Sequence, residues 1–239
     1  MKRENEFWTF GIVCGSLNEN LKKSIESIEK MNIPKDKHEI LLCVDTENDV
    51  IDIGYKNVIA NNNTGKVCYS IKKNALIRSA KFNNIALLHD YIAFEENWYN
   101  NFLNFEEDWN VCSTQIRCLS PQGRRDADWV ITVEDAPWTR VPHALTHFVL
   151  PYEVRHLTYR MWLSGHFFCV RKDFIEKHGL WLNESLCRFD IPPEDQEWSN
   201  RVKKITNFSM NDKSIAYATK DHPGHNLPLI SDYDLKRFL

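Results

Sequence analysis

Apolar and polar positions along the first half of the chain follow two alternating periods. Unbroken apolar runs of strand length recur in WTFGIVCG (8–15), HEILLCVD (38–45), KNVIA (56–60) and NIALLHD (84–90). Runs of this kind are buried on both faces, as central parallel strands are. The stretches between them have helical spacing. ENLKKSIESIEKM puts Leu21, Ile25, Ile28 and Met31 on one face and is closed off by Pro34. CYSIKKNALIRSA (68–80) puts Ile71, Ala75 and Ser79 on its inward face. Alternating strands and helices predict an α/β fold: a doubly wound, mixed but mostly parallel sheet flanked by helices.

The second half is less regular. WNVCSTQI (109–116) reads as a strand, PQGRRDADW (121–129) as a loop, and GHFFCVRKDFIEKHG (165–179) as a strand running into a helix that Gly179 ends. PEDQEWSNRVKKI (193–205) opens with Pro and acids, as helix starts do. SIAYAT (214–219) reads as a late strand and KDHPGHNLP (220–228) as a Pro/Gly-rich tail, whereas the pattern assigns no element to 130–160. With no linker or repeat, residues 1–239 are expected to form a single domain.

Composition narrows the function. The formal charge of −3 and the lack of a long Lys/Arg block give nucleic acid no purchase. No apolar run approaches membrane-spanning length, and MKRENEFWTF lacks the apolar centre of a signal peptide, so a soluble cytoplasmic protein is expected. The seven cysteines include no C-x-x-C pair, and Cys14 and Cys43 sit inside apolar runs. Buried reduced thiols are therefore expected, with neither a disulfide nor a zinc framework.

Candidate chemistry gathers where strands stop. The run Ile85–Leu88 ends on His89, Asp90 and Tyr91, and HEILLCV ends on Asp45. In open α/β sheets ligands bind outside such carboxyl ends. Four pieces, in order, resemble the family 2 glycosyltransferases with the GT-A fold, from Thr9 to His225. FGIVCGSLNENLKKSIESI, with Asn18-Glu19 at its turn, resembles the first strand and helix, and EILLCVD the second strand. KKNALIRSAKFNNIALLHDY resembles the helix leading into the D-x-D strand. WLSGHFFCVRKDFIEKHGLW followed by PPEDQEWSNRV resembles the acceptor-side Gly and the later Glu-Asp motif.

The resemblance implies a nucleotide-binding half (1–110) and an acceptor and catalytic half with a C-terminal tail (111–239). It implies transfer of a hexose or N-acetylhexosamine from a nucleotide sugar, UDP-linked above all, to a hydroxyl of a glycan, lipid or protein. Single displacement with inversion would use Asp195 as base, with Glu194 beside it; a carboxylate at a helix start stays ionised, ready to take a proton. Asp45, Lys73, Asn74, His89, Asp90, Tyr91 and Gly165 would hold the nucleotide sugar. Trp129, Trp162 and His166 would touch the sugar or acceptor, because apolar sugar faces sit well on indole. The family's D-x-D carboxylates hold Mn2+ or Mg2+, but here the motif reads His89-Asp90-Tyr91 and keeps one acid. A metal would rest on Asp90, helped by His89 or by His222 of the tail.

Bland readings compete at each position. PPED is also a plain helix start, Asp45 a strand-end acid, Trp129 a core residue, and Lys72 a solvated surface lysine. His143 and His147 have the spacing of a helical zinc pair, but Ala144 stands where a metalloprotease needs Glu. Hydrolase, NTPase and dehydrogenase fingerprints are absent. Two alternatives stay open: a sugar- or nucleotide-binding module that has lost catalysis, motivated by the missing acids, and a nucleotidyltransferase, which usually carries a Gly-rich phosphate loop.

Overall fold

The computed structural model describes residues 5–62, 64–119, 123–134, 145–155, 161–187, 193–220, 227, 229 and 230. The alternating first half forms β1 (Trp8–Val13), α1 (Glu19–Lys30), β2 (His38–Val44), β3 (Lys56–Ile59), α2 (Tyr69–Ser79) and β4 (Asn84–His89). All these strands pair in parallel, in the order β3-β2-β1-β4. The chain leaves β1 toward β2 and β3 and then returns to β4 on its other side. That reversal is a topological switch point, where strand ends splay and a crevice opens.

The second half extends and covers this sheet. It supplies β5 (Ile92–Phe94), α3 (Trp98–Leu103), β6 (Val111–Cys118), β10 (Phe167–Arg171), α4 (Lys172–His178), α5 (Glu194–Val202) and β11 (Ser209–Ala218). The eight-stranded sheet is mixed: β10 runs antiparallel to β4 and β6, and β11 runs parallel to β6 but antiparallel to β5. Within the unassigned 130–160 region, β7 (Val130–Glu134) and β8 (Leu145–Val149) form a second sheet together with β9 (Met161–Trp162) just beyond it, in the order β8-β7-β9. Its alternation is masked in the sequence because Val130 and Ile131 are both buried.

Both faces of the main sheet carry a core, as a parallel sheet requires. Trp8, Phe10 and Ile12 of β1 pack with Leu21 and Ile28 of α1 and with a ring cluster of Phe94, Trp98 and Phe102. On the other face Leu41, Ile85 and Leu87 pack with Leu76 and Ile77 of α2, Ile175 of α4 and Trp198 of α5. Gly11 lets α2 come close: a Cβ there would meet Leu76 at 3.2 Å. Helix α4 ends as expected, with Gly179 in the left-handed region at φ 63°.

Two expectations are corrected. Helix α2 buries Ser70, Lys72, Lys73, Asn74, Leu76 and Ile77, while Ile71 and Ala75 are only partly covered. Apolar spacing misplaced its inward face because the polar side chains there have buried partners. Cys68 and Cys187 form a disulfide across 119 residues of chain. Sequence spacing gave no sign that the start of α2 and the approach to α5 meet. The reducing compartment inferred from unpaired thiols loses that support. No helix among the described residues is long and apolar enough to cross a membrane.

Candidate functional site

A cleft of roughly 360 Å3 opens at the carboxyl ends of β1, β2 and β4, between the starts of α1 and α2. Asp45, just after β2, and Asp90, just after β4, both line it. Asn18 joins helix and cleft: its side-chain oxygen caps α1 by accepting from the Leu21 N–H at 2.9 Å, while its amide donates to Asp90 Oδ2 at 2.8 Å. Asp45 is held on both oxygens. Lys72 Nζ lies 2.6 Å from Oδ2, and the Asn62 amide donates to Oδ1 at 3.1 Å. Lys72 also donates to the Cys14 carbonyl at 2.8 Å and is only 3% exposed, so it is a cleft residue and not the solvated surface lysine expected. Burial pushes the Cys14 and Cys43 thiols below this cleft up to about 12, leaving both uncharged and inert.

His89 closes the inner wall. Its ring lies 4.5 Å from that of Tyr69 and 5.4 Å from that of Tyr91, and its backbone N–H donates to the His166 carbonyl at 2.9 Å. That last bond ties the tip of β4 to the turn entering β10. In the same turn the Gly165 N–H donates to Asp195 Oδ2 at 2.8 Å, and Asp195 Oδ1 accepts from the Gln196 N–H. Ser164 Oγ and His166 Nδ1 are hydrogen-bonded at 2.7 Å. Lys73, 1% exposed, pairs with Glu194 at 3.1 Å, and its ammonium lies 6.0 Å from the centre of the Tyr69 ring. Tyr69, which lines the cleft, therefore also neighbours the lysine that pairs with Glu194. Burial, and then the neighbouring Glu194, raise the Asp195 carboxyl above its ordinary value, against the pull of Lys73 and two N–H donors.

The remaining candidates divide. Gly165 makes the close approach expected of it, but to side chains: a Cβ there would meet Lys73 Nζ at 3.0 Å and the carboxylates of Asp195 and Glu194 at 3.1 Å. Lys73 belongs to the acid pair and does not line the cleft with Lys72. Asn74, fully buried, is a correction: its amide donates to the Leu182 carbonyl and Glu184, and its oxygen accepts from the Leu182 N–H, so it braces a loop and has no hydrogen left for a nucleotide. Trp129 is another: it is 0% exposed, donates to the Val154 carbonyl at 3.0 Å and packs in the core, which leaves no face for a sugar. Trp162 is half-buried, 5.4 Å from the His147 ring. His222 lies outside the described residues.

Lys72, Asn18, Asn62 and Tyr69 were missed as site residues. Asn18 alone left a signal, as the polar residue before a helix.

Among the described residues the donor set does not fit a divalent cation. Hard cations take several oxygens, with carboxylates foremost. Here Asp90 is a lone strand-tip acid already engaged by Asn18, and Asp45 is neutralised by Lys72. No group of three His, Cys, Asp or Glu suited to a metal occurs among the described residues.

No family model and no curated relative matches the chain. Solved structures do. S. aureus TarS 1–349 superposes with a TM-score of 0.62 at 14% identity, covering 89% of this chain and 60% of that one. The same fragment in complex with UDP-GlcNAc gives 0.60 at 16% identity, covering 92% and 60%, and in complex with UDP 0.60 at 14%, covering 90% and 61%. The fold is of the GT-A type. The chain spans about three fifths of the length of these neighbours.

Proposed function

We propose that the protein is an inverting glycosyltransferase that moves a sugar, a hexose or N-acetylhexosamine, from a UDP-sugar to an acceptor hydroxyl. The observation that carries this reading is Asp195: a carboxylate of raised proton affinity, fixed by the Gly165 N–H in the turn whose His166 carbonyl accepts from His89 of the cleft at the sheet's switch point. Its raised proton affinity makes it a stronger base than an ordinary carboxylate. UDP and UDP-GlcNAc in the TarS complexes support the choice of nucleotide.

In this reading Asp45, steadied by Lys72 and Asn62, meets the base or ribose, and the diphosphate lies across Asp90 and the tip of β4. The acceptor oxygen attacks the anomeric carbon as the bond to the β-phosphate oxygen breaks and its electron pair leaves with UDP. The acceptor proton passes to Asp195. His166 and Trp162, flanking the Gly165 turn, face the acceptor side. Positioning and a fixed charge environment supply most of the acceleration.

Release of UDP from UDP-GlcNAc and UDP-glucose tests this. Turnover by the parent and its loss by about 100-fold or more in Asp195→Asn, with UDP still bound, is the expected result. UDP binding without turnover in the parent would favour the binding module, which the single strand-tip carboxylate also suits.

A further inference from the structure

Resting on that reading, we infer that the donor's diphosphate is neutralised by the ammonium groups of Lys72 and Lys220 in place of a divalent metal ion. The strand-tip position that would gather carboxylates around a cation is occupied by His89 and Tyr91, whose rings pack on one another and, through His89, on Tyr69. Asp90 remains, with one oxygen engaged by Asn18. The other acid of the cleft, Asp45, already faces the Lys72 ammonium at 2.6 Å. A cation entering here would meet one available carboxylate and a fixed positive charge, the reverse of what a hard divalent ion selects.

The same arrangement suits an anion. A lysine ammonium has three N–H donors. Lys72 spends two of them, on Asp45 Oδ2 and the Cys14 carbonyl, and keeps one for a phosphate oxygen. Because Lys72 is 3% exposed, that donor is held in place before the ligand arrives and loses little freedom on binding. Lys220, which also lines the cleft, is exposed, and no ion pair or hydrogen bond with another described residue engages it. The two lysines balance Asp45 and Asp90, so a diphosphate enters a cleft whose lining is not net acidic.

Calorimetric titration of the full chain with UDP, once in EDTA and once with Mn2+, tests the inference, with uridine as the ligand that lacks phosphates. UDP is expected to bind in chelator with a Kd within about twofold of that in Mn2+, since no cation bridges it. Lys220→Ala, an exposed position that spares the fold, is expected to weaken UDP about tenfold, leave uridine unchanged, and not be rescued by Mn2+. UDP binding that tightens more than about tenfold on adding Mn2+ would overturn the inference while leaving the glycosyltransferase reading intact. So would a Lys220→Ala variant with parental UDP affinity. Failure of UDP to bind under both conditions would instead remove the proposed function and the inference with it.

Discussion

Asp195 is raised above the ordinary carboxylate range first by burial and second by Glu194. The proton is held more tightly in the fold than in the unfolded chain. The stability this group contributes is therefore present below the unfolded carboxyl value and is lost as pH rises through the folded one. Activity runs the other way, because a base must be ionised. The rate of UDP release should fall on the acid side with a midpoint above about 4, the ordinary carboxyl value. Since Asp195 and Glu194 interact, that midpoint belongs to the pair; in Glu194→Gln it should move to lower pH, and an unmoved limb would contradict the coupling. Lys72 and Lys73 show what one-dimensional reading loses at this scale. Adjacent and chemically identical, they reach different partners 149 residues apart in the chain, Asp45 for Lys72 and Glu194 for Lys73, because α2 carries them toward the cleft and the acid pair respectively. Nothing local in KKN ranks one above the other. Asp45, Asp90 and Asp195 were legible because each ends a strand or starts a helix.

At the scale of elements, α2 and the turn before β10 hold the site together. Asn74 satisfies both the N–H and the carbonyl of Leu182 from a buried position. Asn74→Ala leaves those groups unpaired and should cost about 2–4 kcal/mol. The drop in melting temperature should be roughly 2–4 °C for each kcal/mol in a chain of this size. If Asn74 instead contacted nucleotide, the variant would keep its melting temperature and lose UDP affinity. The Gly165 turn makes the opposite prediction. A methyl there presses on Lys73 and on both carboxylates, at 3.0 to 3.1 Å, from a backbone that an alanine can adopt. Gly165→Ala should therefore fold and bind UDP while losing turnover by about tenfold or more, the effect of a base displaced by a fraction of an ångström. Strands and helices with a clean period were readable here; the inward face of α2 was not, because its buried side chains are polar and partnered across the fold.

For the molecule as a whole, the parallel half β3-β2-β1-β4 follows from sequence alternation, whereas β10 slotting antiparallel between β4 and β6 does not. That insertion brings Gly165 and His166 to the tip of β4, since His89 donates to the His166 carbonyl. The disulfide works at the same scale, fastening the start of α2 to the chain that leads into α5. Of the seven cysteines, five should react with a thiol reagent in the unfolded, unreduced protein, and all seven after reduction. A closed loop of more than 100 residues is worth about 4–5 kcal/mol in the chain-entropy view, so Cys68→Ser with Cys187→Ser should melt clearly below the parent. An unchanged melting temperature would remove the bridge from the account.

In the proposed mechanism the cleft and the acid pair serve one bound ligand. A crystal structure of Asp195→Asn with an intact UDP-sugar tests it most directly. The uracil and ribose should lie at Asp45, the diphosphate beside Asp90 and Lys72, and the anomeric carbon on the Tyr69 side, with room for an acceptor oxygen within hydrogen-bond reach of residue 195. A sugar directed away from residue 195, or a nucleotide seated outside the cleft, would contradict the account.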